Sequence, residues 1–392
     1  MRTGLIILNA ALMTGAQAVP HAAEVSDAEL SGVLQRAEAA VQANAPVQAE
    51  EILHSALAKH PGWKEGWWQM GSLFYDQSDY SNATVAFQRL SQLDPSAGAV
   101  WAMLGLCEFE EANYGQSLQH LEQGRALGFP KNPELTDSAL YHQALGLILE
   151  GDYEQAQLLL DAFSREDHRS ADVILAQGLA ALRRPILPSA AARVLPPEDL
   201  AILRAVGEAQ YLAGQRHIDE ARTLYEQQIV SHPRVRGLHY GFGILLNRMG
   251  EVTRANAAFT AELQLDPRSV ATRLQLANLA LKRGAPQDGL AFAQQAVGLA
   301  PRDFVPHYVL GNILARLGQT AEAARELEMS RDLQPESSEV RYALAQIYTR
   351  LGRQKEAAEE RAAFLKLKPI EDAMKYSGKV PASLYRPEGP AK

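Results

Sequence analysis

The chain has 392 residues, a formal charge of −8 at pH 7, 47% hydrophobic and 7% aromatic residues, and a single cysteine. The acidic excess argues against a nucleic-acid partner, which calls for a basic face, and one cysteine excludes an internal disulfide. The charge is also uneven: residues 19–235 carry 15 basic and 29 acidic side chains, whereas residues 236–371 carry 18 and 15, so the two halves are suited to different partners.

The N-terminus carries one cation, Arg2, then an apolar run from Leu5 to Met13 and a small-x-small site at Ala16-Gln17-Ala18. That pattern predicts a secretory signal peptide over residues 1–18 and an exported protein, either in a bacterial periplasm or secreted. The apolar run is shorter than the ~20 residues of a spanning helix. No later stretch is apolar enough to span a bilayer, so no transmembrane segment is expected once the signal is removed.

Residues 26–183 read as an N-terminal array of paired helices. Ser26 to Glu29 matches a capping box. Trp67 and Gly71 recur as Trp101 and Gly105 at 34 residues, which assigns both tryptophans to the core as fillers of the space that small residues leave on the next helix. Cys107, among Leu104, Leu106 and Phe109, reads as a buried structural thiol. A helix is predicted from Ala171 to Arg184. Pro185, Pro188, Pro196 and Pro197 then preclude a full partner helix, so residues 184–199 are expected to form a break or hinge.

Residues 200–371 form the C-terminal array, and its last four units are the most regular part of the chain. Gly250, Gly284, Gly318 and Gly352 are spaced by 34, and so are Pro267, Pro301, Pro335 and Pro369. Each unit reads as helix, glycine turn, helix, with the proline ending the second helix. Residues 372–392 lack periodicity and are expected to be a partly disordered tail.

At "ALAQIYTRLGRQKEAAEE" and "LGNILARLGQTAEAARE" the chain resembles the tetratricopeptide repeat family. The resemblance implies an all-α, right-handed superhelical solenoid of about nine helix-turn-helix repeats, one of them degenerate. It also implies a concave groove lined by the fifth, ninth, twelfth and thirteenth places of the first helices. Carried onto this chain, the fifth place holds Trp68, Tyr141, Tyr240, Tyr308 and Tyr342. The ninth holds Asn278, Asn312 and Gln346, and the thirteenth holds Arg248, Lys282, Arg316 and Arg350. Rows of tyrosine, amide and cation suit an extended peptide with acidic groups. The same cations would also serve the negative ends of their helices. The N-terminal groove, with Trp68, Tyr75, Asp76, Phe109 and Glu110, points instead to a basic or apolar partner. The family's clamp for C-terminal carboxylates has lysine where this chain has Tyr308 beside Asn312.

No H-E-x-x-H, paired cysteines, G-x-S-x-G or phosphate loop occurs, so no enzyme, cofactor or metal is expected. His239 and His307, both at the fourth place, read as packing residues. The expected function is a protein-interaction scaffold in the cell envelope. The alternative is an accessory protein of polysaccharide secretion that contacts glycan through Trp68, Tyr240 and Tyr308.

Overall fold

The computed structural model describes residues 27–129 and 132–376. The expected signal peptide and residues 377–392 of the expected tail lie outside the described residues. The chain divides into two compact units between Gly146 and Leu147, upstream of the proline-rich segment. Among the described residues every regular element is an α-helix, and the fold is an all-α helical-repeat solenoid.

In the N-terminal unit the helices are α1 (Asp27–Gln42), α2 (Pro46–Lys59), α3 (Lys64–Asp76), α4 (Tyr80–Leu93), α5 (Gly98–Glu110) and α6 (Tyr114–Leu127). They pack as successive hairpins. Helix α7 (Pro133–Glu150) runs across the division. The C-terminal unit continues with α8 (Tyr153–Arg165), α9 (Ala171–Ala181), α10 (Pro188–Val194), α11 (Pro197–Gly214) and α12 (Ile218–Ser231). The four regular repeats follow as α13 (Leu238–Arg248) with α14 (Val252–Leu265), and α15 (Val270–Lys282) with α16 (Pro286–Leu299). The last two are α17 (Phe304–Arg316) with α18 (Thr320–Leu333), and α19 (Ser338–Arg350) with α20 (Gln354–Tyr376).

The turn glycines do what their spacing predicts. Gly250, Gly284, Gly318 and Gly352 have φ between 73° and 80°, the left-handed region that ends a helix without a steric cost for glycine. The same place in the second and third repeats holds Ser78 and Ala112, at φ 61° and 63°. Inside each pair the small residue at the eighth place sets the approach: a Cβ on Gly243 would lie 2.6 Å from the Phe259 ring. Ser269, Asp303 and Ser337 then cap the next first helix, each accepting a backbone N–H of its first turn. One 34-residue period thus sets turn, packing and cap.

The fourth place of each first helix works differently from the expectation. Trp67 and Trp101 are only partly buried, and their indole N–H groups donate to the carbonyls of Pro61 and Pro95, each at 2.9 Å. His239 reaches Pro233 at 3.3 Å, Arg273 reaches Pro267 at 2.6 Å, His307 reaches Pro301 at 3.0 Å and Arg341 reaches Pro335 at 3.0 Å. Three residue types share one job: an N–H at the tip of a side chain bonds the carbonyl of the proline six residues earlier. The reading of these positions as packing alone is corrected accordingly.

Prolines shape the rest. Pro267, Pro301 and Pro335 each follow the end of a second helix by two residues, as the pattern requires. Pro369 instead lies within α20, which runs on to Tyr376 and so into the segment assigned to the tail. Between Arg184 and Asp199 the prolines leave α10 only 7 residues long, and Pro197 opens α11 at its first turn, where no N–H is needed. With α10 too short to cover α9, α11 packs on α9 backbone to backbone. A Cβ on Gly207 would meet the Ile174 carbonyl oxygen at 1.8 Å, and one on Gly178 the Leu203 carbonyl oxygen at 2.0 Å.

Candidate functional site

Along α17, Tyr308, Asn312 and Arg316 are spaced i, i+4, i+8 and share one face. Tyr308 is half-buried, and its hydroxyl is hydrogen-bonded with Asn312. Arg316 is exposed. On α19 the equivalent Tyr342, Gln346 and Arg350 are all exposed, and the Tyr342 ring packs beside Phe364 at 5.2 Å between centroids. Asn278 and Lys282 are exposed on α15.

Two of the cations in this strip of side chains each reach the first helix of the preceding repeat. Lys282 Nζ donates to Asn247 Oδ1 on α13 at 3.0 Å, and Arg350 donates to the Ala315 carbonyl on α17 at 3.3 Å. Each partner lies 35 residues back, at the twelfth place of the preceding first helix. Lys282 and Arg350 therefore lean over the preceding first helix while staying exposed. For Arg350 the bond is to a carbonyl near the helix C-terminus, so capping and display coexist in one residue. Asn247 joins the strip through this contact.

Two of the expected groove residues are not on a free surface. Tyr240 is buried at 5% exposure. Its hydroxyl donates to Glu154 at 2.8 Å, and the Arg183 guanidinium, itself bound to Glu154, covers its ring at 5.2 Å. Burial first, and then the adjacent Glu154 charge, push its phenol well above the ordinary range. The cause is the proline-rich break: with α10 short, the start of α13 comes against the end of α9, where a Cβ on Gly237 would lie 2.8 Å from Leu182. Leu274, at the corresponding place of the next repeat, is buried as well. Arg248 remains exposed but faces the buried Asp161 at 3.6 Å.

Trp68 is the second. It is buried at 4% exposure, its ring T-shaped to Phe87 at 5.6 Å between centroids, and that burial leaves no open ring face. Of the tyrosine row, Tyr342 is exposed, Tyr308 and Tyr141 are half-buried, and Tyr240 is closed off. Cys107 is fully buried, as expected, and burial raises its thiol far above the range in which it would ionise.

Family models of the tetratricopeptide repeat match residues 240–304 and 280–347. Residues 240–347 carry tetratricopeptide repeats. The matched repeats are those from α13 to α19, the ones that carry the strip. Among solved structures, MamA from Desulfovibrio magneticus RS-1 is similar at 22% identity over 43% of this chain and 95% of its own, with a TM-score of 0.40. YrrB, described as a TPR protein with an unusual peptide-binding site, is similar at 19% identity over 48% of this chain and 96% of its own, with a TM-score of 0.38. No curated protein matches the sequence. Among the described residues no helix is long and apolar enough to cross a membrane.

Proposed function

We propose that the protein is a non-catalytic interaction scaffold whose C-terminal repeats hold an extended, acidic peptide segment of a partner protein. The observation that carries this reading is the strip of Asn278, Lys282, Tyr308, Asn312, Arg316, Tyr342, Gln346 and Arg350, repeated in register on three successive first helices. Amides pair with a peptide backbone, tyrosines supply contact area at low entropic cost, and the cations favour carboxylates. Packed helices lie roughly 8–10 Å apart, and an extended chain advances about 3.3 Å per residue. A carboxylate at every third residue would therefore meet one cation per repeat.

The glycan reading is weaker, because stacking needs open ring faces and burial removes Trp68 and Tyr240 from the three rings it would use. The signal-like residues 1–18 support export, so the partner is sought in the cell envelope; fractionation of cells carrying the full-length chain tests that placement.

Calorimetric titration of the full chain with an alanine-serine peptide of about twelve residues, glutamate at every third place, tests the binding mode. Saturable binding that weakens with salt is expected. An equal response to a peptide with glutamine in place of glutamate would defeat the acidic-segment reading.

A further inference from the structure

The links between the C-terminal repeats form an edge that the peptide strip does not use. Each link is a four-residue turn closed by one backbone bond: the N–H of Val235 to the carbonyl of His232 at 3.2 Å, Ser269 to Asp266 at 3.1 Å, Asp303 to Ala300 at 3.2 Å and Ser337 to Gln334 at 3.3 Å. Proline takes the second place of every turn, where its fixed φ suits the bend. The third place holds Arg234, Arg268 and Arg302 in the first three turns and Glu336 in the fourth. In the N-terminal unit the same turn, closed by Trp63 to His60 and by Ala97 to Asp94, holds Gly62 and Ser96. The fold repeats the turn, but only three consecutive links carry a cation on it.

These turns are held in place. The fourth-place side chains His239, Arg273 and His307 bond the carbonyls of Pro233, Pro267 and Pro301, so each arginine stands on a pinned loop. The guanidinium groups of Arg234, Arg268 and Arg302 are exposed and make no ion pair or hydrogen bond with the described residues. Other surface arginines of the unit are neutralised: Arg222 by Asp219, Arg254 by Glu226, Arg283 by Asp288 and Arg325 by Glu322. Over residues 232–239, 266–273 and 300–307 five arginines stand against two carboxylates. Asp303 is buried as the cap of α17, and Asp266 accepts the backbone N–H of Arg268. Glu198, from α11, faces His232 at 3.7 Å. Packed helices lie roughly 8–10 Å apart, close to the Debye length of about 8 Å in physiological salt, so the three charges act together.

An apolar group stands at the same end. Val230, in the last turn of α12 and four residues before Arg234, is 82% exposed, the most open large hydrophobic side chain among the described residues. Pro233, Pro267 and Pro301 are exposed beside the arginines. A soluble polyanion would leave these groups in water, whereas the boundary of a bilayer takes an apolar tip and a cation together.

We infer that this edge, Val230 with Arg234, Arg268 and Arg302, docks the C-terminal unit on a membrane surface rich in anionic phosphate headgroups. Each guanidinium pairs a phosphate through two parallel N–H bonds, and Val230 enters the headgroup layer. The edge and the peptide strip use different places of the repeat, so neither consumes the residues of the other.

Sedimentation of the full chain with phosphatidylcholine vesicles, with and without phosphatidylglycerol, tests the inference. Binding is expected only where phosphatidylglycerol is present, and it should weaken as salt rises. The Arg234→Gln, Arg268→Gln, Arg302→Gln variant should bind at least about ten-fold more weakly, since each cation near an anionic surface is worth roughly five-fold. Val230→Ser should lose about five-fold or more. A control with the same change in net charge, Arg222→Gln, Arg283→Gln, Arg325→Gln, should bind as the parent does, and melting curves check that each variant folds. Equal binding to both kinds of vesicle, equal loss in the two triple variants, or saturable binding of soluble polyphosphate without binding to either vesicle overturns the inference.

Discussion

The Nε2 atom of His307 lies 3.0 Å from the carbonyl oxygen of Pro301, and the Nδ1 atom of the same ring lies 2.7 Å from Glu326 Oε2. Both partners are acceptors, so the ring satisfies both only when it carries two protons. Burial opposes that charge, but the bonds to Glu326 and Pro301 outweigh it and raise the basicity of His307 above the ordinary histidine range.

A raised histidine stabilises the folded state fully below its unfolded value, and that contribution fades as pH rises through the folded value. The thermal midpoint should therefore fall more steeply as pH rises above about 6.5 than in His307→Asn, which removes the titration. Differential scanning calorimetry at a series of pH values checks this, and parallel curves for the two proteins would contradict it.

Gly207→Ala places a methyl group where the Ile174 carbonyl already stands at 1.8 Å. Backbone cannot yield as a side-chain tip can, so a loss of about 3 kcal/mol or more is expected. Urea unfolding measures it. A loss below about 0.5 kcal/mol, the level of a neutral surface change, would show that α9 and α11 are not in this contact.

Ala112 holds φ 63° at a turn that glycine fills in the C-terminal repeats. Left-handed backbone costs a non-glycine residue about 1–2 kcal/mol, partly offset by glycine's greater entropy loss. Ala112→Gly should stabilise the chain by roughly 0.5–1 kcal/mol, whereas Gly318→Ala, at φ 78°, should destabilise it. A pair of melting curves decides whether the signs are opposite.

Arg316 is exposed at the middle of the C-terminal strip. Arg316→Glu should weaken the glutamate peptide by about ten-fold at low salt, with the gap narrowing as salt screens the charges, and should leave the melting temperature within about 2 °C. Tyr240→Phe should leave the affinity unchanged, since Tyr240 is covered by Arg183, while lowering stability by about 1.5–3 kcal/mol through the lost hydrogen bond to the charged Glu154. Affinity loss in Tyr240→Phe at constant stability would return that residue to the binding surface.

The repeat period was legible in the residue order because its causes are local. Gly250 and Pro267 act within a few residues of themselves, through a left-handed turn and a missing N–H, so spacing alone exposes them. The displayed residues Asn278, Arg316 and Tyr342 were placed by the resemblance to the repeat family, whose groove positions carry over once the 34-residue period is fixed. The row of donors at the fourth place was also present in the sequence, as Trp67, Trp101, His239, Arg273, His307 and Arg341. Their chemical types differ, however, and only the distance to a proline carbonyl shows what they share.

Tertiary structure alone decided which members of a row stay open. Tyr240 and Tyr308 occupy the same place of their repeats, yet α9 and Glu154 close over the first because the short α10 lets distant elements meet there. The orphaned N–H of Trp68 is likewise invisible in residue order, since being unsatisfied depends on every neighbour in space. Periodicity records what a residue does to its own helix; exposure and pairing depend on what the rest of the chain brings against it.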